Sequence, residues 1–457
     1  MRIVVIGAGP GGYEAAIKAA RLGARVTLIE KDKLGGTCLN RGCIPTKALL
    51  KSSELLSEIK DGAKFGVHIE GEAEASFKDI IERKNKLVSQ LAKGIEFLLT
   101  KNGVRIIKGT GRLIDRRRVE VMGDGFAETL EADRIILATG SIPACPRLFS
   151  YDGKNVITSD EVLSLEEAPG SVIIAGGGVI GCEIGQFLRR MGSDVTIVEM
   201  MPHILPQEDD DVAKQLERQF KKEKIRFITG QGITSVRVDG GKVIASLQDG
   251  NELNADVLMV SIGRKPFTQG LGLENAGIHT DERGMIPVNR KMETCVEGIY
   301  AIGDLVATPA LAHVASKEGL IAAENAVGGN REISYHAVPR CVYTDPEIAS
   351  VGINEAEAGE KGIPYKIGTF EFRGLGKALV MDKIQGFVKV LTDENDRLIG
   401  ASIVGPGATE LLAELTLAVH LGLSAEQVGD VIHPHPTLCE ALMEALHDIH
   451  GQSIHKI

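Results

Sequence analysis

The chain has 457 residues, enough for about three domains of ordinary size, so a small single-domain binding module is excluded. Lys and Arg number 52 and Asp and Glu number 62, and the net charge of −10 argues against a protein that neutralises nucleic-acid phosphates. Glycine is over-represented, with 54 residues, about 12% of the chain against a usual level of about 7%. We therefore expect motifs in which the backbone itself requires glycine.

The chain opens with a pattern typical of a β-strand, a glycine turn, a helix and a second strand. The apolar residues 3–6 precede Gly7-x-Gly9-x-x-Gly12, a helix is predicted over residues 13–22, and a second strand over 26–30 ends at Glu30. In such a turn the first glycine permits the bend, the second lets the backbone approach a pyrophosphate and the third lets helix and strand pack closely. Because these glycines interrupt the apolar run, neither a signal peptide nor a membrane span is predicted, and we expect a cytoplasmic protein.

Two cysteines follow this unit, Cys38 and Cys43, and Pro45 comes shortly after them. Proline is typical of the first turn of a helix, and a helix N-terminus stabilises a thiolate, so Cys43 is the better placed of the two for redox chemistry. A buried free pair and half of a zinc site are the alternatives to a redox pair. The other cysteines contain no closely spaced pair that would complete a zinc site. No metal is therefore expected, and each of these five is predicted to be an inert buried thiol: Cys145, Cys182, Cys295, Cys341 and Cys439.

The strand, turn, helix and strand pattern recurs 169 residues later. Residues 172–175 precede Gly176-x-Gly178-x-x-Gly181, a helix is predicted over 182–191, and a strand over 195–198 leads to Glu199. A single glycine motif is weak, but two copies with an acid at the same distance are much more specific. They predict two adenine dinucleotide sites, with the phosphates at the helix N-termini and with Glu30 and Glu199 accepting hydrogen bonds from the ribose.

The second site is expected to prefer NAD over NADP. A carboxylate at Glu199 favours a free ribose 2′-hydroxyl and repels a 2′-phosphate, and residues 200–206 contain no Lys or Arg. Arg189 and Arg190, on the preceding predicted helix, are the reservation, because either could reach a 2′-phosphate.

Near the C-terminus, His433 and His435 alternate with prolines, and Glu440 follows five residues after His435. A carboxylate can hold the Nδ1 proton of a histidine and leave Nε2 free to accept a proton from a thiol, which must ionise before it attacks a disulfide. Taken alone, such a run is more often a loop with solvated imidazoles. Before it comes an apolar helical face that fits an interface helix or a core helix equally well: Leu411, Leu412, Leu415 and Val419.

Together these motifs resemble those of the FAD-dependent pyridine nucleotide–disulfide oxidoreductases. The resemblance rests on GTCLNRGCIPTK at residues 36–47, both glycine repeats, residues 138–140 and 302–304, and the run 433–440, in the family's order over essentially the whole chain. It implies an α/β fold with two Rossmann-like dinucleotide-binding domains, for FAD and NAD, and an α+β C-terminal dimerisation domain. The expected boundaries are 1–143 and 267–333 for the FAD-binding parts, 144–266 for the NAD-binding domain and 334–457 for the dimerisation domain.

The resemblance also implies roles for individual residues. Cys38 would meet the substrate and Cys43 would lie against the flavin, with Lys47 and Glu183 paired near it; solvated surface charges are the alternative for that pair. His435, oriented by Glu440, would be the base that acts on the other subunit's disulfide, with His433 outside the core role. The residues implied to contact FAD are Gly7, Gly9, Gly12, Glu30, Thr37, Lys47, Thr139, Gly140, Asp304, Ala312 and His313. Those implied to contact NAD are Gly176, Gly178, Val179, Ile180, Gly181, Glu199 and Gly263.

The activity that the resemblance implies is oxidation of a dihydrolipoyl group on a carrier protein, with hydride passing to NAD⁺. The carrier would belong to a 2-oxoacid dehydrogenase or glycine-cleavage complex, and the enzyme would be a homodimer that binds neither nucleic acid nor membrane. One alternative is an NAD(P)H-dependent flavoprotein reductase for a different disulfide. Another is a redox-sensing flavoprotein without turnover, against which the intact set of Cys38, Cys43, His435 and Glu440 argues.

Overall fold

The computed structural model describes residues 1–456; Ile457, the last residue of the predicted C-terminal domain, lies outside the described residues. The first part of the chain contains β1 Arg2–Ile6, α1 Pro10–Arg21, β2 Arg25–Glu30, α2 Gly36–Arg41, α3 Cys43–Lys60, α4 Phe77–Lys101, β3 Arg105–Lys108, β4 Thr110–Leu113, β5 Arg118–Gly123, β6 Phe126–Glu131, β7 Arg134–Leu137 and β8 Ser141–Pro143.

The middle of the chain contains the second copy of the strand–helix–strand unit. Its elements are β9 Val156–Thr158, α5 Ser159–Val162, β10 Ser171–Ala175, α6 Val179–Arg190, β11 Asp194–Val198, α7 Asp210–Lys222, β12 Arg226–Ile228, β13 Ile233–Asp239, β14 Lys242–Leu247, β15 Glu252–Ala255, β16 Val257–Val260 and β17 Arg264–Pro266.

The last part of the chain first returns to the first sheet and then forms a separate antiparallel sheet with helices. It contains α8 Leu273–Ala276, β18 Ile299–Ala301, α9 Ala312–Ala326, β19 Arg340–Val342, β20 Glu347–Gly352, α10 Glu355–Glu360, β21 Lys366–Glu371, α11 Gly376–Val380, β22 Phe387–Thr392, β23 Leu398–Gly405, α12 Ala408–Leu421, α13 Ala425–Gly429 and α14 Glu440–Asp448.

Two parallel sheets carry the two glycine motifs. The first has the strand order β18-β7-β1-β2-β3 and the second the order β12-β11-β10-β16-β9. Their central strands read as continuous apolar runs because parallel strands are buried on both faces. The predicted 169-residue repeat is confirmed in the pairing register, since Ile3 faces Val26 in the first sheet and Val172 faces Val195 in the second. The α/β fold class predicted from the motifs is therefore confirmed.

The two helices after the glycine turns begin earlier than predicted. α1 begins at Pro10 rather than residue 13, and α6 begins at Val179 rather than residue 182. The prediction treated the motif glycines as helix breakers, whereas Gly12 and Gly181 lie within the first helical turn. The shift brings the free N–H groups of each helix to the middle glycine of its motif.

β8 and β17 form a two-stranded antiparallel sheet at the two points where the chain enters and leaves its middle part, with Ser141 paired with Pro266. The proposed domain boundaries at residues 143 and 266 coincide with the ends of these strands. Beyond them, the C-terminal part has the sheet order β19-β20-β23-β22-β21, packed against α12 and α14.

The apolar face of α12 belongs to the core of this C-terminal part. Leu412, Leu415 and Val419 are buried against the sheet, so α12 is a core helix of the predicted C-terminal domain. The opposite side of the helix exposes Leu417 and Leu421 instead.

The prediction that five cysteines are buried holds only in part. Cys182 is buried and Cys145, Cys341 and Cys439 are partly buried, but Cys295 is exposed. Cys295 lies in an irregular segment shortly before β18, where no apolar periodicity could indicate which side chains face the core.

A buried lysine joins the middle and C-terminal parts of the chain. Nζ of Lys389, on β22, lies 2.8 Å from Asp209, 2.8 Å from Asp211 and 2.7 Å from Glu355. Three clustered carboxylates could hold a metal ion, but here the ammonium occupies their centre. Among the helices within residues 1–456, none is long and apolar enough to cross a membrane.

Candidate active site

The first glycine turn is closed by contacts that only glycine permits. Gly7 has φ +103°, and a Cβ on Gly12 would overlap the carbonyl oxygen of Gly7. At Gly9, by contrast, the space in front of the backbone is open. Glu30 holds the turn, because its carboxylate accepts the N–H of Ala8 at 2.7 Å and that of Asp32 at 2.8 Å.

The second turn repeats this arrangement. Gly176 has φ +106°, a Cβ on Gly181 would overlap the carbonyl oxygen of Gly176, and the space at Gly178 is open. The carboxylate of Glu199 accepts the N–H of Gly177 at 2.7 Å and of Met201 at 2.9 Å. Each turn thus presents free helix N–H groups and an uncovered backbone, which fits a pyrophosphate.

Both turns open into one cavity of about 2220 Å³. It brings together residues predicted from distant parts of the chain: Gly7, Gly9, Gly12, Glu30, Thr37, Cys38, Cys43, Lys47, Thr139, Gly140, Gly176, Gly178, Val179, Ile180, Glu183, Glu199, Gly263, Asp304, Ala312 and His313. Gly181 packs beneath its turn rather than facing the cavity. In the described part of the chain, His435 and Glu440 are not among the lining residues.

Of the predicted redox pair, Cys38 lies within α2 and Cys43 is the first residue of α3, and both are free thiols. A hydrogen bond from the Cys38 thiol lowers the pKa of Cys43 to about 7, with help from the positive charge of Lys47 and against the effect of burial. The same hydrogen bond, together with burial, raises the pKa of Cys38 well above its ordinary value. Cys43, the first residue of α3, is therefore the thiol that ionises at neutral pH.

Lys47 and Glu183 form the contact that was predicted for them. Nζ of Lys47, one turn into α3, lies 2.7 and 2.9 Å from the two carboxylate oxygens of Glu183 on α6. Glu183 is only 2% exposed, so the alternative of two solvated surface charges is wrong. Its second partner, the N–H of Tyr343 at 2.9 Å, was not expected from the sequence.

Asp304 faces the cavity within a small polar network. The hydroxyl of Ser141 donates a hydrogen bond to Asp304, and Nε of Arg264 lies 2.7 Å from that hydroxyl oxygen. Ser141 and Arg264 come from strands β8 and β17, and sequence reasoning missed both. The sequence offered one signal for them: each is a polar residue in a short segment just after a buried strand, Ser141 after β7 and Arg264 after β16.

Ala312 and His313 are the first two residues of α9 and line the cavity wall. Nε2 of His313 lies 2.9 Å from the carbonyl oxygen of Pro339. Burial lowers the pKa of His313, which keeps the ring neutral at physiological pH.

His435 and Glu440 also form the predicted contact, with Nδ1 of His435 2.8 Å from Oε1 of Glu440. The other carboxylate oxygen accepts the N–H of Thr437 at 2.9 Å. Burial alone would raise the pKa of Glu440, but these two hydrogen bonds outweigh it and lower the pKa. The His435 ring is 77% exposed and its Nε2 faces away from the carboxylate, free to meet another molecule. His433 instead packs inward, with Nε2 2.9 Å from Glu414.

The chain is similar to known proteins over nearly its whole length. Residues 1–319 match the family described as Pyridine nucleotide-disulphide oxidoreductase, and residues 338–446 match its dimerisation domain. The chain is 43% identical over 460 residues to a dihydrolipoyl dehydrogenase of Thermus scotoductus, covering 99% of this chain and 98% of that relative. It is 42% identical over 464 residues to a dihydrolipoyl dehydrogenase of Haloferax volcanii, covering 100% and 97%.

The fold of this chain also matches that of a solved structure. A crystal structure of LpdA from Mycobacterium tuberculosis has a TM-score of 0.92 to this chain at 31% identity, covering 98% of this chain and 99% of that one. The matches extend over both glycine motifs, the cysteine pair and the C-terminal sheet, so the chain belongs to the pyridine nucleotide-disulphide oxidoreductase family.

Proposed function

We propose that this oxidoreductase oxidises a dihydrolipoyl group carried by a partner protein and passes the electrons through FAD to NAD⁺. The observation that carries the proposal is the ionisable Cys43 at a helix N-terminus, placed with the Lys47–Glu183 pair in one cavity with two dinucleotide turns. Full-length relatives named dihydrolipoyl dehydrogenase support the choice of substrate.

FAD is assigned to the first turn and NAD to the second. The helix that carries Cys38 begins against the first turn, since a Cβ on Gly36, the first residue of α2, would overlap the Cα of Gly9; a group bound there can exchange electrons with the thiols. When bound, FAD supplies the two-electron relay between the dithiol and NAD⁺. Gly9 and Gly178 leave the space that each pyrophosphate needs, and Glu30 and Glu199 lie at the strand ends where the ribose hydroxyls would sit.

The preference for NAD over NADP is supported by the contacts of the two arginines that had raised doubt. Arg189 donates to the carbonyl oxygen of Glu223, and Arg190 pairs with Glu223 and Asp345 at 2.8 Å. Both are thus engaged at the C-terminal end of α6, which supports a site without a free arginine for a 2′-phosphate.

Dithiol oxidation begins with the Cys38–Cys43 disulfide of the oxidised enzyme. A substrate thiolate attacks Sγ of Cys38, the Cys38–Cys43 bond breaks, and Cys43 leaves as a thiolate stabilised by Lys47 and the α3 N-terminus. The second substrate thiol then attacks the mixed disulfide, which releases the cyclic lipoyl disulfide and leaves Cys38 as a thiol. Two electrons have then passed from the substrate to the enzyme.

His435 is assigned as the base that takes the proton from each substrate thiol. Glu440 holds Nδ1, so the exposed Nε2 is the free acceptor. Since His435 lies outside the cavity of its own chain as far as residues 1–456 show, we assign it to the disulfide of the other subunit in a homodimer. The carrier is assigned to a 2-oxoacid dehydrogenase or glycine-cleavage complex, and the cytoplasmic location remains a prediction from the apolar run near residue 3, which glycines interrupt.

The test is a comparison of disulfide substrates with both nicotinamides. The purified holoenzyme should reduce lipoamide with NADH, and oxidise dihydrolipoamide with NAD⁺, far faster than it reduces glutathione disulfide with NADPH. The Cys38→Ser and Cys43→Ser variants should bind FAD but lose lipoamide turnover. Full activity in either variant, or equal rates with glutathione disulfide, would overturn the proposal.

A further inference from the structure

A segment of the C-terminal part runs along the helix that carries Glu183. Tyr343 donates its N–H to Glu183 at 2.9 Å, and Asp345 exchanges two hydrogen bonds with Gln186, each of 2.8 Å. The carboxylate of Asp345 then pairs with Arg190 at 2.8 Å. These contacts recur at one-turn intervals along α6, so the segment 343–345 is held in register with this helix.

This register places the ring of Tyr343 beside the Lys47 ammonium. Nζ of Lys47 lies 4.4 Å from the ring centroid, within the range of a cation–π interaction. The ammonium therefore has the buried carboxylate of Glu183 on one side and an aromatic face on another. The remaining side opens into the cavity, where Lys47 and Tyr343 are both lining residues.

We propose that Tyr343 is a positioning residue that holds the Lys47 ammonium against Glu183 and so fixes the positive charge that acts on Cys43. The proposal rests on the thiolate role given to Cys43 in the proposed function. It goes beyond that role by placing a residue of the dimerisation domain in the redox site of its own chain, through Lys47.

The aromatic face, rather than the hydroxyl, carries this role. In the described residues the Tyr343 hydroxyl makes no hydrogen bond, while the backbone N–H makes the contact with Glu183. Burial, with the nearby groups Cys341, Glu183, Glu347 and Glu410, raises the pKa of Tyr343 to about 12, so the ring is neutral at physiological pH. The titratable groups that act on Cys43 itself are Cys38, Lys47 and Glu183.

Without the ring, the ammonium can turn toward the open cavity and become hydrated. Its charge would then be screened, and the Cys43 thiolate would lose part of its stabilisation. Tyr343→Leu should therefore raise the pKa of Cys43 by about 0.5 unit, a fraction of the effect of removing the Lys47 charge altogether. Tyr343→Phe keeps the face and the backbone N–H, and should leave that pKa unchanged.

The experiment is a pH titration of the Cys43 thiolate in the Cys38→Ser holoenzyme, followed by thiolate ultraviolet absorbance. The Cys38→Ser/Cys43→Ser protein supplies the background from FAD and from other ionising groups. Tyr343→Leu, Tyr343→Phe and the surface control Tyr151→Leu are compared in the Cys38→Ser background, with far-ultraviolet circular dichroism as the check on folding.

The proposal predicts a higher midpoint in Tyr343→Leu alone. An unchanged midpoint in Tyr343→Leu, or an equal shift in Tyr343→Phe, would overturn it. Because neither lipoamide nor NAD is present, a wrong substrate assignment would leave this result intact. If Tyr343→Leu does not fold, Tyr343→Met provides the same loss of the aromatic face with a flexible side chain.

Discussion

Cys38 and Cys43 are the same residue type five positions apart, yet they ionise very differently. Cys43 has the helix N-terminus, the hydrogen bond from Cys38 and the charge of Lys47, while Cys38 is the hydrogen-bond donor. Such an asymmetry suits a pair in which one sulfur leaves as a thiolate and the other is attacked. Burial opposes the ionisation of both, so the specific contacts decide the outcome.

Removing the charge of Lys47 should raise the pKa of Cys43. The thiolate form of Cys43 is populated above a pKa of about 7, so in the reduced enzyme its fraction rises through neutral pH. Lys47→Met keeps the length of the side chain but not the charge, and should move that midpoint upward by about 1 unit, part of the way to the ordinary range of a thiol, because the hydrogen bond from Cys38 remains. The thiolate absorbance of the reduced protein measures it, and the neighbouring Lys51→Met, which removes an exposed charge on the same helix, is the control. A midpoint that stays near neutrality in Lys47→Met would show that the Cys38 hydrogen bond and the helix suffice.

At the scale of elements, each nucleotide unit contains glycines that are needed for two different reasons, packing and ligand binding. Gly12 and Gly181 are required by packing, because a Cβ at either would overlap the carbonyl oxygen of the first glycine of the motif. Gly9 and Gly178 meet no protein atom within 4 Å, so the protein alone would tolerate a side chain there. Glycine at these two positions is therefore explained by the proposed pyrophosphate in front of it rather than by folding.

Substitution of two glycines in the second motif should separate folding from NAD binding. Gly178→Ala should leave the thermal midpoint and the FAD content unchanged but raise the KM for NAD⁺, because the methyl group occupies the space assigned to the pyrophosphate. Gly181→Ala should instead lower the free energy of unfolding, by about 1–3 kcal/mol, because the helix must move away from the strand. Thermal unfolding and steady-state kinetics distinguish the two, and normal NAD⁺ kinetics in Gly178→Ala would remove the second turn as the nicotinamide site.

At the scale of the whole molecule, contacts from the C-terminal part hold the second nucleotide unit in place. The segment 343–345 is paired with α6, and the buried Lys389 binds carboxylates that precede and begin α7. One wall of the cavity is therefore built by the dimerisation domain of the same chain. We expect subunit association and cavity geometry to be linked for that reason.

Mixed dimers should show which chain supplies the base. Cys43→Ser and His435→Ala homodimers should each be nearly inactive with dihydrolipoamide, since general-base catalysis contributes about 10²–10⁴-fold. In a mixed dimer of the two, one site combines an intact Cys43 with an intact His435 from the other subunit. Refolding the two variants together should thus restore activity in one of the two sites of each mixed dimer. Absence of recovery, despite mixed dimers detected by native mass spectrometry, would place His435 in the site of its own chain.

Local patterns in the sequence were sufficient for the two strand–turn–helix–strand units and for the closely spaced Cys38–Cys43 pair, and they suggested the His435–Glu440 contact, which the resemblance to a family then favoured. These features depend on residues close together in the chain, whose spacing limits the geometries that the backbone can adopt. The Lys47–Glu183 pair was also anticipated, but only through the resemblance to a family, since 136 positions separate the two residues.

Other features were decided by tertiary structure alone. The ring of Tyr343 over Lys47, the Ser141–Arg264 support of Asp304 and the carboxylates around Lys389 each join elements whose approach depends on how the sheets pack. The exposure of Cys295 and the burial of Leu412 and Leu415 against their own sheet depend on the same packing. The sequence by itself determined which groups could take part in redox chemistry and nucleotide binding, because residue type and local spacing carry that information. Only the tertiary structure decided which charges and aromatic faces surround them, because those contacts arise from packing between segments that are distant in the chain.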